Sequence, residues 1–300
     1  MTIPLKRAII IFRSEINMLD ILVHTEVVMN LKEGFEFIDR IEDLSAMPAI
    51  AMDIMGMLND SSASVKAIVD KVRLDQAMVS YILKHCNSAF YGVKQEITSI
   101  ARAINLIGFS NLRSILMAYF LRNLYHLSGK NPIKEYLWKH SIAVAVFSKH
   151  LAERLNLDAD ESYVAGLLHD IGKMVLYLDD SEAYKNIVAE VETGKSDFLN
   201  AEKKLLQFTH VDTGYFLLEK WKFSQILKDV ALYHHDLHLF IGIDKIIGLV
   251  CFADQLAHVF VEKRFDNLDP LMAQFNITEK HLDQLVEKSL VEIEELYKLL

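Results

Sequence analysis

Hydrophobic residues recur at spacings of three and four along most of the chain, and polar helix-capping residues stand between these segments. In the last segment, from Thr278 to Leu300, the apolar residues form one stripe between charged positions: Leu282, Leu285, Val286, Leu290, Ile293, Leu296 and Leu300. Such a stripe is typical of an amphipathic helix with a near-heptad seam. Period-two segments, which would indicate strands, are nearly absent. The pattern therefore predicts an all-α fold.

The clearest break in the chain is the segment 127–132, which combines a glycine with a proline. We predict helices over residues 48–58, 65–73, 76–86 and 111–126 before this break, and over 133–155, 159–172 and 243–262 after it. We therefore expect a helical segment over residues 1–40, an N-terminal helical bundle over 41–128, a second helical body over 131–265 and a C-terminal amphipathic helix over 266–300. Docking of that last helix onto the rest of the chain is favoured, and a homodimer contact is the alternative.

The net charge of the chain argues against nucleic acids as binding partners. It has 32 Lys and Arg residues against 41 Asp and Glu residues, and the net charge of −9 opposes binding to polyanions. The segment Val65–His85 resembles two short helices joined by a turn, as in some DNA-binding proteins. Its second helix carries Lys84 as its only certain cation, so we expect no DNA binding.

Several features indicate a cytoplasmic protein without membrane contact. Cys86 and Cys251 have no CxxC spacing, which favours free thiols in a reducing compartment. The apolar run Ala8–Phe12 is shorter than the core of a signal peptide. Uncharged apolar stretches such as Ile246–Ala253 fall far below the about 20 residues that span a bilayer.

The strongest chemical signal is a set of five histidines and two aspartates between residues 140 and 254. Its members are His140, His169, Asp170, His210, His234, His235 and Asp254. Mixed nitrogen and oxygen ligands suit iron, manganese, zinc or cobalt, and we predict one or two such divalent ions. A metal-free hydrogen-bonded network is the alternative, because buried imidazoles and carboxylates need partners in either case. We assign six further histidines to helix surfaces or to the core: His24, His85, His126, His150, His258 and His281.

The hexapeptide Leu168–Lys173 concentrates this chemistry. His169 and Asp170 are adjacent, so both can face one cavity where a helix ends. The two oxygens of Asp170 suit it to bridge two metals, which at about 3.5–4 Å apart activate water for attack on phosphorus. Lys173 would present a positive charge to a phosphate, and Gly172 would allow a close turn. Asp170 and Lys173 are therefore the predicted catalytic residues.

These residues resemble the HD superfamily of metal-dependent phosphohydrolases. The residues that match its metal pattern are His140, the doublet His169-Asp170, Asp254 and, as in two-metal members, His210, His234 and His235. Within that superfamily, the stretch from Ile41 to Leu239 resembles the HDOD domain, an HD-related output domain of bacterial signalling proteins. The motifs that carry this resemblance include Ser45-Ala-Met-Pro48, His85-Cys-Asn-Ser-Ala-Phe-Tyr91, Gly166-Leu-Leu-His-Asp-Ile-Gly-Lys173 and His210-Val-Asp-Thr-Gly214.

The resemblance implies an HD-like helical domain after the N-terminal bundle. It also implies a bacterial signal-transduction protein that binds metal, with a nucleotide ligand or a protein partner. A metal-dependent phosphohydrolase acting on a nucleotide, a cyclic dinucleotide or another phosphoester is the alternative, so enzymatic activity stays open. No Gly-Tyr-Pro run follows His235, which argues against cyclic-di-GMP as the substrate.

Overall fold

The computed structural model describes residues 31–41, 49–59, 64–88, 93, 95–126, 131–236, 245–263 and 267–298. All regular structure in these residues is helical, which confirms the predicted all-α fold. The N-terminal part contains α1 (Leu31–Arg40), α2 (Ala49–Asn59), α3 (Val65–Val72), α4 (Gln76–Cys86) and α5 (Ile100–His126). Pro48 and the predicted boundary at residues 127–130 lie outside the described residues.

The helical body that follows begins with the long helix α6 (Pro132–Leu155) and continues to residue 297. Its other helices are α7 (Ala159–Leu168), α8 (Ile171–Asp179), α9 (Ser181–Glu192), α10 (Phe198–Leu205), α11 (His210–Lys220), α12 (Gln225–Tyr233), α13 (Lys245–Leu256), α14 (Asp269–Gln274) and α15 (Glu279–Tyr297). A π-helical turn, Ala257–Val261, directly follows α13.

Capping side chains start several helices where the sequence places them. Ser64 accepts a hydrogen bond from the backbone of Ala67, and Asp75 accepts one from Met78. The helix predicted to start after Ser110 instead begins at Ile100, and its backbone is non-helical at Gly108, where φ is 76°. A residue with a side chain rarely adopts that positive φ, so this glycine permits a kink between two apolar helical segments.

Helix α5 is long and apolar enough to cross a bilayer over Ile100–Tyr125, but 61% of its apolar window is buried inside the protein. The sequence prediction passed over it because Arg102, Arg113 and Arg122 interrupt it. Its apolar side chains pack against α3, α4 and α7 instead. The kink at Gly108 further separates it into two shorter helices.

Helix α6 is the centre of the body. Its residues from His140 to Ser148 are all buried, as expected for a helix surrounded by others, and it packs against α7, α13 and α15. The apolar stripe of α15 lies against α6, so Leu282, Leu285 and Ile293 are buried within the chain. The helix most central to the fold thus carries His140, the first residue of the predicted metal set.

Candidate metal centre

The doublet His169-Asp170 occupies the junction between two helices. Helix α7 ends at Leu168 and α8 begins at Ile171, with Asp170 at φ −104° and ψ 14°. The predicted single helix over 159–172 was therefore wrong, because the chain breaks at the doublet rather than after it. The break turns both side chains towards the space between α6, α11 and α13, where the other histidines lie.

Gly172 brings α11 next to this junction. A Cβ atom at Gly172 would lie 1.9 Å from the carbonyl oxygen of His210 and 2.7 Å from the backbone nitrogen of Gly214. The absence of a side chain therefore allows the first turn of α11 to pack directly on α8. This close helix contact, rather than the predicted turn, is the reason for a glycine at this position.

The first half of the cluster, site A, consists of His140, His169, Asp254 and Oδ2 of Asp170. Nε2 of His140 lies 3.0 Å from Oδ1 of Asp254 and 3.5 Å from Oδ2 of Asp170. Nε2 of His169 lies 3.8 Å and 3.3 Å from the same two oxygens. Ligands bound at about 2.1 Å to one ion are separated by about 3.0 Å at right angles and up to about 4.2 Å when opposite. These spacings fit one ion.

The second half, site B, consists of His210, His234, His235 and Oδ1 of Asp170. Nε2 of His210 lies 3.5 Å from Oδ1 of Asp170 and 2.9 Å from Nε2 of His235. Nε2 of His234 lies 3.4 Å from the same oxygen. The two oxygens of Asp170 therefore face different groups of histidines, and the structure brings all seven predicted metal ligands together.

The imidazole tautomers are set by hydrogen bonds on the far side of each ring. Nδ1 of His169 donates to the carbonyl oxygen of Gly166 at 2.7 Å, and Nδ1 of His234 donates to that of Val230 at 3.1 Å. A carbonyl oxygen only accepts, so the proton stays on Nδ1 and the lone pair of Nε2 points into the cluster. Metal-binding histidines are oriented in this way.

Carboxylates orient the other two buried imidazoles. Nδ1 of His140 donates to Glu262 at 2.6 Å, and Nδ1 of His210 donates to Glu202 at 2.7 Å. Among the described residues, Nε2 of His140, His169 and His234 and Oδ1 of Asp170 find no hydrogen-bond partner. Buried polar atoms of this kind are costly unless something pairs with them. A cation at site A would satisfy the atoms of His140 and His169, and a cation at site B would satisfy those of His234 and Asp170, so the residues fit a metal.

Lys173 reaches the centre of the cluster. Its Nζ lies 2.5 Å from Oδ2 of Asp170 and 4.3 Å from the centroid of the Phe198 ring, and the side chain is buried. Burial opposes ionisation of Asp170, but the charge of Lys173, helped by contacts with His169 and His234, holds the pKa of that carboxyl well below its ordinary range. Asp170 is therefore ionised and able to bind cations.

The histidines differ in their proton affinity. Burial, together with the charge of Lys173, holds the pKa of His210 well below its ordinary value, and burial also lowers that of His169. Burial disfavours the charged form of His140 too, but Glu262 and Asp254 outweigh it and raise its pKa to about 10. His210 and His169 are therefore neutral, as metal ligands must be, whereas an ion at His140 displaces a proton.

Three residues near the cluster were not predicted. Glu202 and Glu262 carried no local signal, because each reaches its histidine only through tertiary packing. His258 was assigned to the surface or the core, although it stands four residues after Asp254, a spacing that suits two ligands on one helix face. Its Nε2 lies 3.6 Å from Oδ1 of Asp254. His258 therefore lies next to the cluster, whereas the sequence prediction placed it among the histidines unrelated to the metal set.

Two other scattered histidines lie away from the cluster. His150 is buried and contacts Ser289 at 2.7 Å and Glu292 at 3.0 Å, which joins α6 to α15. His281 belongs to the first turn of α15, where its backbone donates to Thr278. His24 lies outside the described residues.

Comparison with known proteins decides the family. The sequence model of the HDOD domain matches residues 44–237. The chain belongs to the HDOD family. The matched range contains every predicted metal ligand except Asp254. Asp254, His258 and Glu262 lie beyond its end. The resemblance noted from the sequence motifs is thereby confirmed.

Solved structures share this HDOD fold. A crystal structure of an HDOD domain protein with unknown function from Geobacter sulfurreducens is 28% identical, with a TM-score of 0.71, and the match covers 88% of this chain and 95% of that one. A protein from Shewanella amazonensis, named as a candidate phosphohydrolase, is 24% identical with a TM-score of 0.69, and the match covers 88% of this chain and 97% of that one. The similarity to the Shewanella amazonensis protein shows that the two chains share a fold.

A curated relative is longer than this chain. An uncharacterized protein from Treponema pallidum is 25% identical over 211 residues, which are 66% of this chain and 39% of that protein. The HDOD chain thus matches well under half the length of this relative.

Proposed function

We propose that this HDOD protein is a metal-binding regulatory protein of bacterial signal transduction that acts in the cytoplasm. One observation carries the proposal: four buried imidazoles turn their Nε2 atoms towards Asp170, and most of those atoms have no hydrogen-bond partner in the described residues. Imidazoles held in this way around carboxylates are suited to divalent iron, manganese, zinc or cobalt.

The residues divide between two ions. His140, His169 and Asp254 hold one ion at site A, while His210, His234 and His235 hold the other at site B, and Asp170 contributes one oxygen to each. Bound divalent ions supply positive charge that draws these carboxylates and imidazoles together. Glu262 and Glu202 fix the rings of His140 and His210, so the geometry is ready before an ion arrives.

The burial of the centre favours a regulatory role. His169, His210 and His234 have no exposed surface, and of the seven ligands only His235 is exposed. Metal loading is then a means of stabilising one arrangement of α6, α11 and α13, which a signalling protein or a nucleotide recognises at the surface. We place no DNA or membrane among its partners, and a homodimer through α15 is a further arrangement to test.

A metal-dependent phosphohydrolase is the second candidate, and the position of Asp170 favours it. Its two oxygens face separate groups of histidines, as a carboxylate that bridges two ions requires. Two ions held there would polarise a phosphoester and would supply a nucleophile. In this function Lys173 leaves Asp170 to hold a phosphate oxygen, and His235 contacts the substrate from the exposed side.

Metal analysis followed by a substrate screen tests both functions. Protein without a histidine tag is expected to contain a transition metal, and the loaded protein is screened against phosphoesters, nucleotides and cyclic dinucleotides. Metal content without turnover supports the regulatory function. Metal-dependent turnover at about 1 s⁻¹ or faster, within the ordinary range of enzymes, overturns it in favour of the phosphohydrolase.

A further inference from the structure

His258 lies beside site A on an unusual piece of backbone. It belongs to the π-helical turn Ala257–Val261, which follows α13 and Asp254. Such turns are rare in proteins as a whole, and those that occur are often found at functional sites. The imidazole of His258 stacks on that of His140, with ring centroids 5.3 Å apart and an interplanar angle of 25°. The turn thus brings a sixth histidine to the metal centre.

One carboxylate oxygen is the common neighbour of three imidazoles. Oδ1 of Asp254 lies 3.0 Å from Nε2 of His140, 3.8 Å from that of His169 and 3.6 Å from that of His258. All three separations fall in the range for ligands of a single ion, about 3.0 to 4.2 Å.

The single free lone pair of His140 allows this residue to bind one ion only. An imidazole nitrogen has one lone pair for a metal, and the other nitrogen of His140 is engaged with Glu262. His140 therefore cannot serve one ion with His169 and Asp170 and a separate ion with Asp254 and His258. If Asp254 and His258 bind a metal together with His140, that metal is therefore the ion at site A.

We propose that His258 is a fifth protein ligand of the ion at site A. The inference rests on the proposed metal centre and extends it. Three imidazoles and two carboxylate oxygens leave one position of an octahedron open. This number of ligands favours iron, manganese or cobalt over zinc, because zinc usually adopts tetrahedral coordination with four ligands.

The variant His258→Gln tests this assignment, with His281→Gln as the matched control, because His281 lies on α15 outside the metal cluster. Each protein is stripped of metal and titrated with Co²⁺ in competition with a chelator. Loss of one ligand is expected to weaken binding at one site at least about tenfold in His258→Gln and to leave His281→Gln unchanged. The visible spectrum of bound cobalt is also expected to change, since cobalt absorbs more strongly when it has fewer ligands.

Several outcomes overturn the proposal, and they differ from one another. Unchanged cobalt affinity and spectrum in His258→Gln remove His258 from the ligands but leave the metal centre standing. Failure of the wild-type protein to bind any metal overturns the proposed function as well. If His258→Gln does not fold, crystals of the Mn²⁺-loaded wild type decide. An ion about 2.1–2.3 Å from Nε2 of His258 supports the assignment, and a separation above about 3 Å contradicts it.

Discussion

Nζ of Lys173 lies 2.5 Å from Oδ2 of Asp170, and both side chains are buried. Each charge therefore depends on the other, because an unpaired charge in this interior would be costly. Asp170 also faces both halves of the metal centre, so one carboxylate links the stability of the fold to metal binding.

The variant Asp170→Ala is expected to lose metal from both sites and to destabilise the metal-free protein. Removing one partner leaves the ammonium of Lys173 buried with its main partner gone, which costs about 3–5 kcal/mol. Urea unfolding in chelator measures the second effect, and elemental analysis measures the first. The double variant Asp170→Ala/Lys173→Met is expected to regain most of the stability but not the metal. Retention of metal by either variant would contradict the account.

Substitution of Gly172 tests the close contact between α8 and α11. The new Cβ of Gly172→Ala meets the backbone of His210 at 1.9 Å, so the two helices must separate. We expect a loss of at least about 2 kcal/mol of unfolding free energy and weaker metal binding at site B. The control is Gly56→Ala in α2, where a Cβ has no atom within 4 Å. That change is expected to stabilise the protein by about 0.5–1 kcal/mol. Equal effects of the two changes would refute the packing argument.

Glu262 is expected to act on metal affinity through His140. Glu262→Ala removes the acceptor that orients the imidazole of His140. Groups that hydrogen-bond to a metal-binding histidine usually contribute about 10- to 100-fold to metal affinity. Isothermal titration with Mn²⁺ measures the change. Glu153→Ala is the control, because Glu153 lies on α6, as His140 does, but pairs with the exposed Lys288. Identical affinities in the two variants would mean that His140 needs no orienting carboxylate.

The contact between α6 and α15 predicts a pH dependence of stability. Burial opposes ionisation of Glu292, but its contacts with His150 and Lys149 keep its pKa below the ordinary value. A carboxyl with a lowered pKa in the folded state stabilises the protein fully above its ordinary pKa of about 4.5 and loses that contribution as the pH falls through the lowered value.

Glu292→Gln is therefore expected to reduce stability at pH 7 and to flatten the fall in stability between about pH 5 and pH 3. Urea unfolding across this range measures both effects. Glu153→Gln, which changes an exposed carboxylate, is expected to leave the curve unchanged. A curve for Glu292→Gln that stays parallel to the wild type would show that this carboxyl does not contribute to acid unfolding.

Local sequence signals predicted much of the fold. Ser64 and Asp75 cap the expected helices because a cap acts within four residues of the helix start. The periodicity also identified α6 almost to its ends. The break at His169-Asp170 was missed, since apolar residues at helical spacing continue on both sides of it and nothing local marks the change of direction.

The centre was less predictable than the fold around it. The doublet and the histidine spacing were sufficient to name the seven residues that meet in space. Glu202 and Glu262 were not predicted, because a carboxylate that orients a histidine is chosen by the approach of two helices. The role of Gly172 was also misassigned, since a close helix contact cannot be distinguished from a turn in one sequence.

Anomalous X-ray scattering from crystals of the protein, purified without a histidine tag, tests the central claim most directly. The account predicts a transition-metal peak at site A, about 2.0–2.3 Å from Nε2 of His140 and His169 and from the oxygens of Asp170 and Asp254, and a second at site B in the fully loaded protein. Crystals soaked in iron, manganese and cobalt that show no anomalous peak beside Asp170 would contradict it.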